Sequence, residues 1–292
     1  MIGLKRGDVV LCEHETAWEY EAQLTVNELK SIFGSDARDI QHIGSTSIKN
    51  IKAKPIIDIA VGTENFDSIM IHEKELLAAG YHYRPDNDMD GAQRFFACGS
   101  YYEGGDMQTH FIHVVKYNSA EWRNYVNFRD YLNAHPDIAK EYEDIKTGLV
   151  EKLGSVGSRN QYVYGKGNFI SHILRKATAW SFLGKTVTMS VDRPIGYVHK
   201  KSGYELTYAI NYGYIPGVFG GDGEELDVYL IGVNERVRSF EGRIVGIVHR
   251  NDDVEDKLIM APIGVSVTRE AAERAVHFQE QYYDSHIELL NE

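Results

Sequence analysis

The sequence predicts an α+β chain of two domains. At 292 residues it exceeds the usual size of one domain. Its first part alternates helix-spaced apolar positions with a buried-strand run, while its last third is apolar runs separated by glycine-rich and acidic turns. An apolar fraction of 43% with 19 tyrosines is ample for packed cores. The expected domains are 1–178 and 182–292, joined by a short linker within 176–185 that carries Trp180, Phe182 and Leu183.

In order, Trp18, Ala22, Thr25, Leu29, Ile32 and Phe33 recur at helical spacing up to Gly34, which predicts a helix over 15–33. Gly44, Ser45 and Thr46 offer backbone amides and hydroxyls without bulk, equipment for gripping a phosphate. The apolar run from Pro55 to Val61 is a buried strand carrying one carboxylate, Asp58, which needs a partner such as a metal or Lys52 or Lys54. His110 and His113 lie in a strand, three residues apart and so on opposite faces; either can face Asp58, but they do not chelate one ion. Arg94 either reaches a phosphate or lies over Phe95 and Phe96. Helices follow over 119–132 and from Pro136, where Tyr142 and Lys146 share a face, and then through Tyr162, Lys166, Phe169 and Ile173. Arg159, Lys146 and Lys166 form either a basic rim for phosphates or solvated helix surface.

The second domain opens with a strand from Thr186 to Val191, ended by Asp192-Arg193-Pro194. Its centre is Asn211 to Asp227, an aromatic strand with Tyr212 and Tyr214 on one face, then a glycine-rich turn, then Asp222, Glu224 and Asp227. A second acidic loop holds Asp252, Asp253, Glu255 and Asp256 and runs into Lys257. Carboxylates crowded at strand ends suit Mg²⁺ or Mn²⁺, and Lys257 either holds a phosphoryl oxygen or damps their repulsion. A solvated acidic turn is the bland alternative. Val228–Val233 and Ile244–His249 are further strands, and Thr268 caps a last helix with Ala275, Phe278 and Tyr282 along one side.

Composition narrows the partners. A net charge of −12 argues against broad nucleic-acid binding and favours cation capture. Cys12 and Cys98 are the only cysteines and read as reduced thiols of a cytoplasmic protein. The N-terminal Met-Ile-Gly-Leu-Lys-Arg-Gly-Asp lacks a signal-peptide core, and no stretch is long and apolar enough to span a membrane. A homo-oligomer is left open.

Two resemblances sharpen this reading. His42-Ile-Gly-Ser-Thr-Ser47, Ala53-Lys-Pro-Ile-Ile-Asp-Ile59, Thr109-His-Phe-Ile-His-Val114 and Phe128-Arg-Asp-Tyr-Leu132, with Tyr142, Lys146, Tyr162 and Lys166, resemble the GrpB-like family, whose members look like nucleotidyltransferases. That implies a mixed sheet with helices, a nucleotide's phosphates at Gly44, Ser45, Thr46, Lys54, Arg94, Lys146 and Lys166, and a metal at Asp58. Ala60 stands where a second carboxylate is expected. Asn211-Tyr-Gly-Tyr-Ile-Pro216, Asp222-Gly-Glu-Glu-Leu-Asp227, Arg243-Ile-Val-Gly-Ile-Val-His249 and Asp252-Asp253 through Lys257 resemble soluble inorganic pyrophosphatases. That implies a small OB-like β-barrel with a C-terminal helix and Mg²⁺ on Asp222, Asp227, Asp252 and Asp256. It also implies phosphate contacts from Lys257, Tyr208, Tyr212 and Tyr282, with Glu224 where the general base is expected. Together they imply Mg²⁺-dependent pyrophosphate hydrolysis beside a nucleotide-binding or nucleotidyltransferase-like domain. The alternative is a non-catalytic nucleotide or polyphosphate sensor.

Overall fold

The computed structural model describes residues 2–156, 159–201, 203–220, 223–253 and 255–290. The chain divides into two compact units, Met1–Ile170 and Ser171–Glu292. The first holds strands β1 (Leu4–Lys5), β2 (Ala37–Ile43), β3 (Ile57–Thr63), β4 (His82–Tyr83), β5 (Gln93–Cys98), β6 (Met107–Gln108) and β7 (His110–Lys116). Its helices are α1 (Thr16–Phe33), α2 (Phe66–Met70), α3 (Glu73–Ala78), α4 (Ala120–Ala134), α5 (Pro136–Leu153) and α6 (Arg159–Gly165). Helix α7 (Gly167–Trp180) contains the division point.

The core of the first unit is a mixed five-stranded sheet in the order β2-β3-β7-β5-β4, with β3 and β7 parallel and the other neighbours antiparallel. Strand β3 is buried on both faces, which is why it reads as an unbroken apolar run. Ile57, Ile59 and Val61 pack with Trp18, Ala22, Val26, Leu29 and Phe33 of α1. Ala60, on the opposite face, packs with Ile43, Val115 and Trp122. Asp58 shares that second face, because side chains alternate along a strand.

The second unit holds β8 (Thr186–Arg193), β9 (Val198–Lys201), β10 (Tyr204–Thr207), β11 (Asn211–Phe219), β12 (Glu225–Leu230), β13 (Ser239–Arg250), β14 (Lys257–Ala261), α8 (Arg269–Glu280) and β15 (Ser285–Leu289). Strands β14-β12-β11-β8-β13 run side by side, and β13 pairs again with β14, so the sheet closes into a barrel. Closure removes the open edges that would otherwise invite pairing with another chain. Strand β13 spans the closure because it is long: Ser239–Arg243 pairs with β8, and Gly246–Arg250 pairs with β15. Leu226, Val228, Leu230, Ile244, Ile247, Leu258 and Met260 fill one core. Tyr208, Tyr212, Tyr229, Val248, Ile259, Ala272 and Val276 form a second.

The α+β class and both architectures agree with the sequence, and three details differ. The expected linker is helical as far as Trp180. The helix expected through Tyr162 to Ile173 is two, α6 and α7. Helix α8, capped by Thr268 as expected, stops at Glu280, so Tyr282 lies beyond it and is exposed. The short hairpin β9–β10 is an element that was not predicted from the sequence.

Candidate functional site

In the first unit, the turn after β2 lies directly over the carboxylate of β3. Gly44 has φ +71°, and a Cβ there would sit 2.5 Å from Asp58 Oδ2, so glycine alone lets the turn close. Ser45 Oγ lies 3.3 Å from the Tyr142 hydroxyl, and Thr46 is buried with its hydroxyl 2.9 Å from His42 Nε2. Burial holds His42 down at about 4, against the pull of Asp58. Asp58 Oδ1 faces His113 Nε2 at 3.5 Å, and Tyr125 approaches the other ring nitrogen of His113 at 3.2 Å. His110 points the other way, towards Glu21, as the strand alternation requires.

Around this turn gather cations. Lys54 Nζ and Lys166 Nζ lie 5.4 and 5.2 Å from the Tyr162 ring centroid. Lys146 is fully buried, 4.5 Å from the Tyr142 ring centroid, and donates to the Lys52 carbonyl. Helix surface in water is therefore not where Lys146 sits. Burial, then the nearby Lys166 and Arg159, bring the Lys54 ammonium down to about 7. Burial and the Lys166 charge bring Lys146 to about 7 as well. Arg159 donates to Gln108, while its Nε and Nη2 are buried with no partner among the described residues. Asp58 is the carboxylate set among these charges; Lys52, its other expected partner, pairs instead with Glu13 at 3.1 Å. Arg94 stands apart, with Asp88 at 3.6 Å and the Phe66 ring centroid at 4.8 Å. Basic side chains outnumber carboxylates here, with Asp58 beside Lys54 and Arg159 and Glu143 beside Lys146.

In the second unit, one barrel face carries a row of polar groups across four strands. Arg193 of β8 is paired in register with Tyr212 of β11, and Tyr212 with Tyr229 of β12. Asp227, two residues before Tyr229, shares its face. Lys257 of β14 lies next to Leu258, which is level with Val228. Lys257 Nζ donates to Asp227 Oδ2 at 2.5 Å, Glu255 Oε2 at 2.7 Å and the Tyr212 hydroxyl at 3.0 Å. Tyr212 in turn donates to Asp227, which with burial pushes its phenol well above the usual range. Tyr208 takes a hydrogen bond from Arg193. Glu224 is exposed in the turn before β12, and Asp222 lies outside the described residues.

The acidic loop is divided between different partners. Asp256 accepts from His249 Nδ1 at 2.8 Å, and Glu288 accepts from Nε2 at 2.9 Å. Those two carboxylates raise His249 to about 9 despite the opposing effect of burial. Asp252 accepts from the Asp284 backbone amide at 3.1 Å. Arg250, near the end of the same strand ladder, is clamped by Glu280 and Asp253 and stacked 3.5 Å from the Tyr283 ring centroid. Magnesium was expected on Asp222, Asp227, Asp252 and Asp256. Among the described residues no three Asp, Glu, His or Cys side chains are grouped to hold an ion. Asp227 gives one oxygen to Lys257 and Tyr212, and Asp256 gives one to His249, which leaves each carboxylate its second oxygen. Asp256 Oδ1 is buried without a partner among the described residues.

The arrangement defines a two-part chain, a mixed-sheet unit with a cluster of basic side chains near Asp58 and a closed barrel with a cation–phenol–carboxylate row. Residues 8–176 match the family model of GrpB protein, and the chain belongs to that family. Residues 184–285 match the inorganic pyrophosphatase family model. Over 178 residues the chain is 36% identical to Glutamate-rich protein GrpB of Alkalihalophilus pseudofirmus, covering 60% of this chain and 99% of that protein. The crystal structure of conserved protein GrpB from Enterococcus faecalis aligns with TM-score 0.52 and 28% identity, over 57% of this chain and 96% of that one. An inorganic pyrophosphatase structure from Ehrlichia chaffeensis aligns with TM-score 0.27 and 18% identity, over 37% of this chain and 88% of that one.

Sequence reasoning singled out Gly44, Ser45, Thr46, Asp58, Lys54, Lys146 and Lys166; the fold sets Gly44 over Asp58, Lys54 and Lys166 on the Tyr162 ring, and Ser45 and Lys146 on Tyr142. It also singled out Asp227, Lys257 and Tyr212, which share one hydrogen-bonded group. It missed Arg193 as more than a strand end, and it missed the Arg250–Glu280 and His249–Glu288 pairs. Strand register makes these contacts, and no local pattern announces it.

Proposed function

We propose that this chain handles linked phosphates: the N-terminal unit binds the polyphosphate of a nucleotide, and the C-terminal unit hydrolyses pyrophosphate in a reaction that depends on Mg²⁺, with Mn²⁺ as a substitute. The observation that carries the reading is the convergence of Lys54, Lys146, Lys166 and Arg159 beside the Gly44-Ser45-Thr46 turn, with two guanidinium nitrogens of Arg159 buried and unsatisfied among the described residues. Buried cations without counter-charges are costly unless a ligand supplies them. The match to inorganic pyrophosphatases over residues 184–285 supports the second half. Asp227, Asp252 and Asp256 are the described carboxylates that would hold Mg²⁺, which would neutralise phosphoryl charge when bound. In this reading Lys257 and Tyr212 hold and orient Asp227 at the reaction centre, and Glu224 takes the proton from attacking water. One water is consumed per P–O–P bond, giving two orthophosphates. A nucleotidyl transfer in the first unit would release the pyrophosphate that the second removes, and we place the protein in the cytoplasm.

The test is orthophosphate release from pyrophosphate by the full chain with Mg²⁺, with Mn²⁺ and with neither. Release that needs the metal and is lost in Asp227→Asn is expected, and no release with either ion overturns the hydrolytic half. A second reading, a polyphosphate sensor without turnover, is favoured by Ala60 at the second carboxylate position and by the engaged oxygens of Asp227 and Asp256. Calorimetric binding of ATP and pyrophosphate with unchanged ligand would select it.

A further inference from the structure

We propose that Arg193, and not Lys257, is the cation that grips a phosphoryl oxygen of pyrophosphate in the C-terminal unit; this rests on the phosphate reading of that unit. An ammonium has three N–H donors. Lys257 directs them to Asp227, Glu255 and the Tyr212 hydroxyl, and its side chain is 3% exposed. It has no donor to spare, and withdrawing one would strand a carboxylate in a buried setting. Lys257 is the internal counter-ion of the site.

Arg193 stands on the other side of the same phenol. Its register pairing with Tyr212 lays the guanidinium 5.1 Å from the Tyr212 ring centroid and 5.5 Å from that of Tyr208. Nη1 donates to the Tyr208 hydroxyl at 2.6 Å, and Nε lies 3.5 Å from Asp192 Oδ2. A guanidinium carries five donors in a planar fork, and Nη2 makes no hydrogen bond to the described residues. The side chain is 32% exposed, so the unused edge of the fork is reachable from solvent. Two aromatic faces and one hydroxyl hold the plane of the fork, so little conformational freedom remains to be lost when an anion binds. A planar fork with adjacent free donors matches two oxygens of one phosphoryl group.

The experiment measures magnesium pyrophosphate on the full chain by calorimetric binding and by the KM of any hydrolysis, for wild type, Arg193→Met, Arg193→Lys and Tyr208→Phe. Arg193→Met should weaken binding or raise KM roughly 10- to 100-fold, the range for loss of a charge-assisted hydrogen-bond pair, with an unfolding midpoint close to wild type. Arg193→Lys should recover part of the loss. Tyr208→Phe, which removes only the hydroxyl that orients the fork, should give a smaller loss. Arg193→Met binding as wild type does, while folded, overturns the assignment and leaves the phosphate reading intact. Arg193→Met unfolding the unit, with Arg193→Lys folded and unchanged in binding, also overturns it and leaves a structural role. Wild type that neither binds nor hydrolyses magnesium pyrophosphate overturns the phosphate reading itself, and this inference with it.

Discussion

In the N-terminal unit, Lys54 and Lys166 make no hydrogen bond or ion pair among the described residues, and Arg159 buries two unsatisfied nitrogens. In the C-terminal unit, Lys257 is matched to Asp227 and Glu255, Arg250 to Glu280 and Asp253, and His249 to Asp256 and Glu288. Each unit withdraws cations from water, and the second holds its own in direct ion pairs, whereas Lys54 and Lys166 have none among the described residues. The difference separates two uses of buried charge. An internally matched cation fixes the arrangement of strands around it, whereas an unmatched one stores a demand that an incoming anion satisfies.

The largest effect expected from this contrast is at Lys257. Lys257→Met leaves Asp227 and Glu255 facing each other without their shared cation, and breaking a buried pair from one side costs about 3–5 kcal/mol. A urea midpoint lowered accordingly, with unchanged m-value, is the expected outcome. Stability equal to wild type would mean the pair is not buried in solution as it is here.

The pH dependence offers a second contrast, because the two units should respond with opposite sign. His249 is raised from 6.5 to about 9 in the folded chain, so its contribution is complete below pH 6.5 and is lost as pH rises through 9. Two and a half pKa steps correspond to about 3 kcal/mol. Lys54 and Lys146 are lowered from 10.5 to about 7, so the unfolded chain binds more protons between those values and the folded state gains stability as pH rises from 7 to 10.5. The wild-type minus His249→Gln difference in unfolding free energy should therefore shrink between pH 6.5 and 9. A difference independent of pH over that window would contradict the charged His249.

How much of this was legible in the sequence differs between the units for a physical reason. The turn residues Gly44 to Thr46 and the lysines lie within or beside recognisable motifs, so local chemistry pointed to them. Lys146 was placed correctly on the Tyr142 face of its helix, yet the cost of burying an ammonium made solvent the natural expectation. The fold buries it because the Lys52 carbonyl and the Tyr142 ring receive it. Arg193 was legible only as the residue before a proline, since its role comes from standing opposite Tyr212 across a ladder. The bond from His249 to Asp256 was not legible, because the spacing of an acidic loop says nothing about a histidine that reaches it from another strand.

A smaller effect tests the turn that closes over Asp58 in the N-terminal unit. Gly44→Ala meets both a positive φ and the Asp58 carboxylate, and strain of that kind costs about 1–3 kcal/mol. The expected result is a lowered midpoint together with weaker ATP binding, because Asp58 or the turn must shift. Alanine accommodated without change in either measurement would show that the turn is looser than its geometry requires.

The smallest change in stability should come from Lys54→Met, and its sign makes it the sharpest comparison with Lys257→Met. Methionine keeps the length and packing of the lysine stem while removing a charge that no described carboxylate contacts by hydrogen bond or ion pair. Removing an unmatched, half-buried cation relieves its desolvation and its repulsion by Lys166 and Arg159. The unliganded chain should therefore keep its stability within about 1 kcal/mol or gain, and the rising slope between pH 7 and 10.5 should become shallower. The same substitution should abolish most of the ATP-induced rise in unfolding midpoint, because that rise reports binding to the folded state alone. A variant that is strongly destabilised yet still stabilised by ATP would reverse both expectations, and would place Lys54 among the matched, scaffold-fixing cations that characterise the other unit.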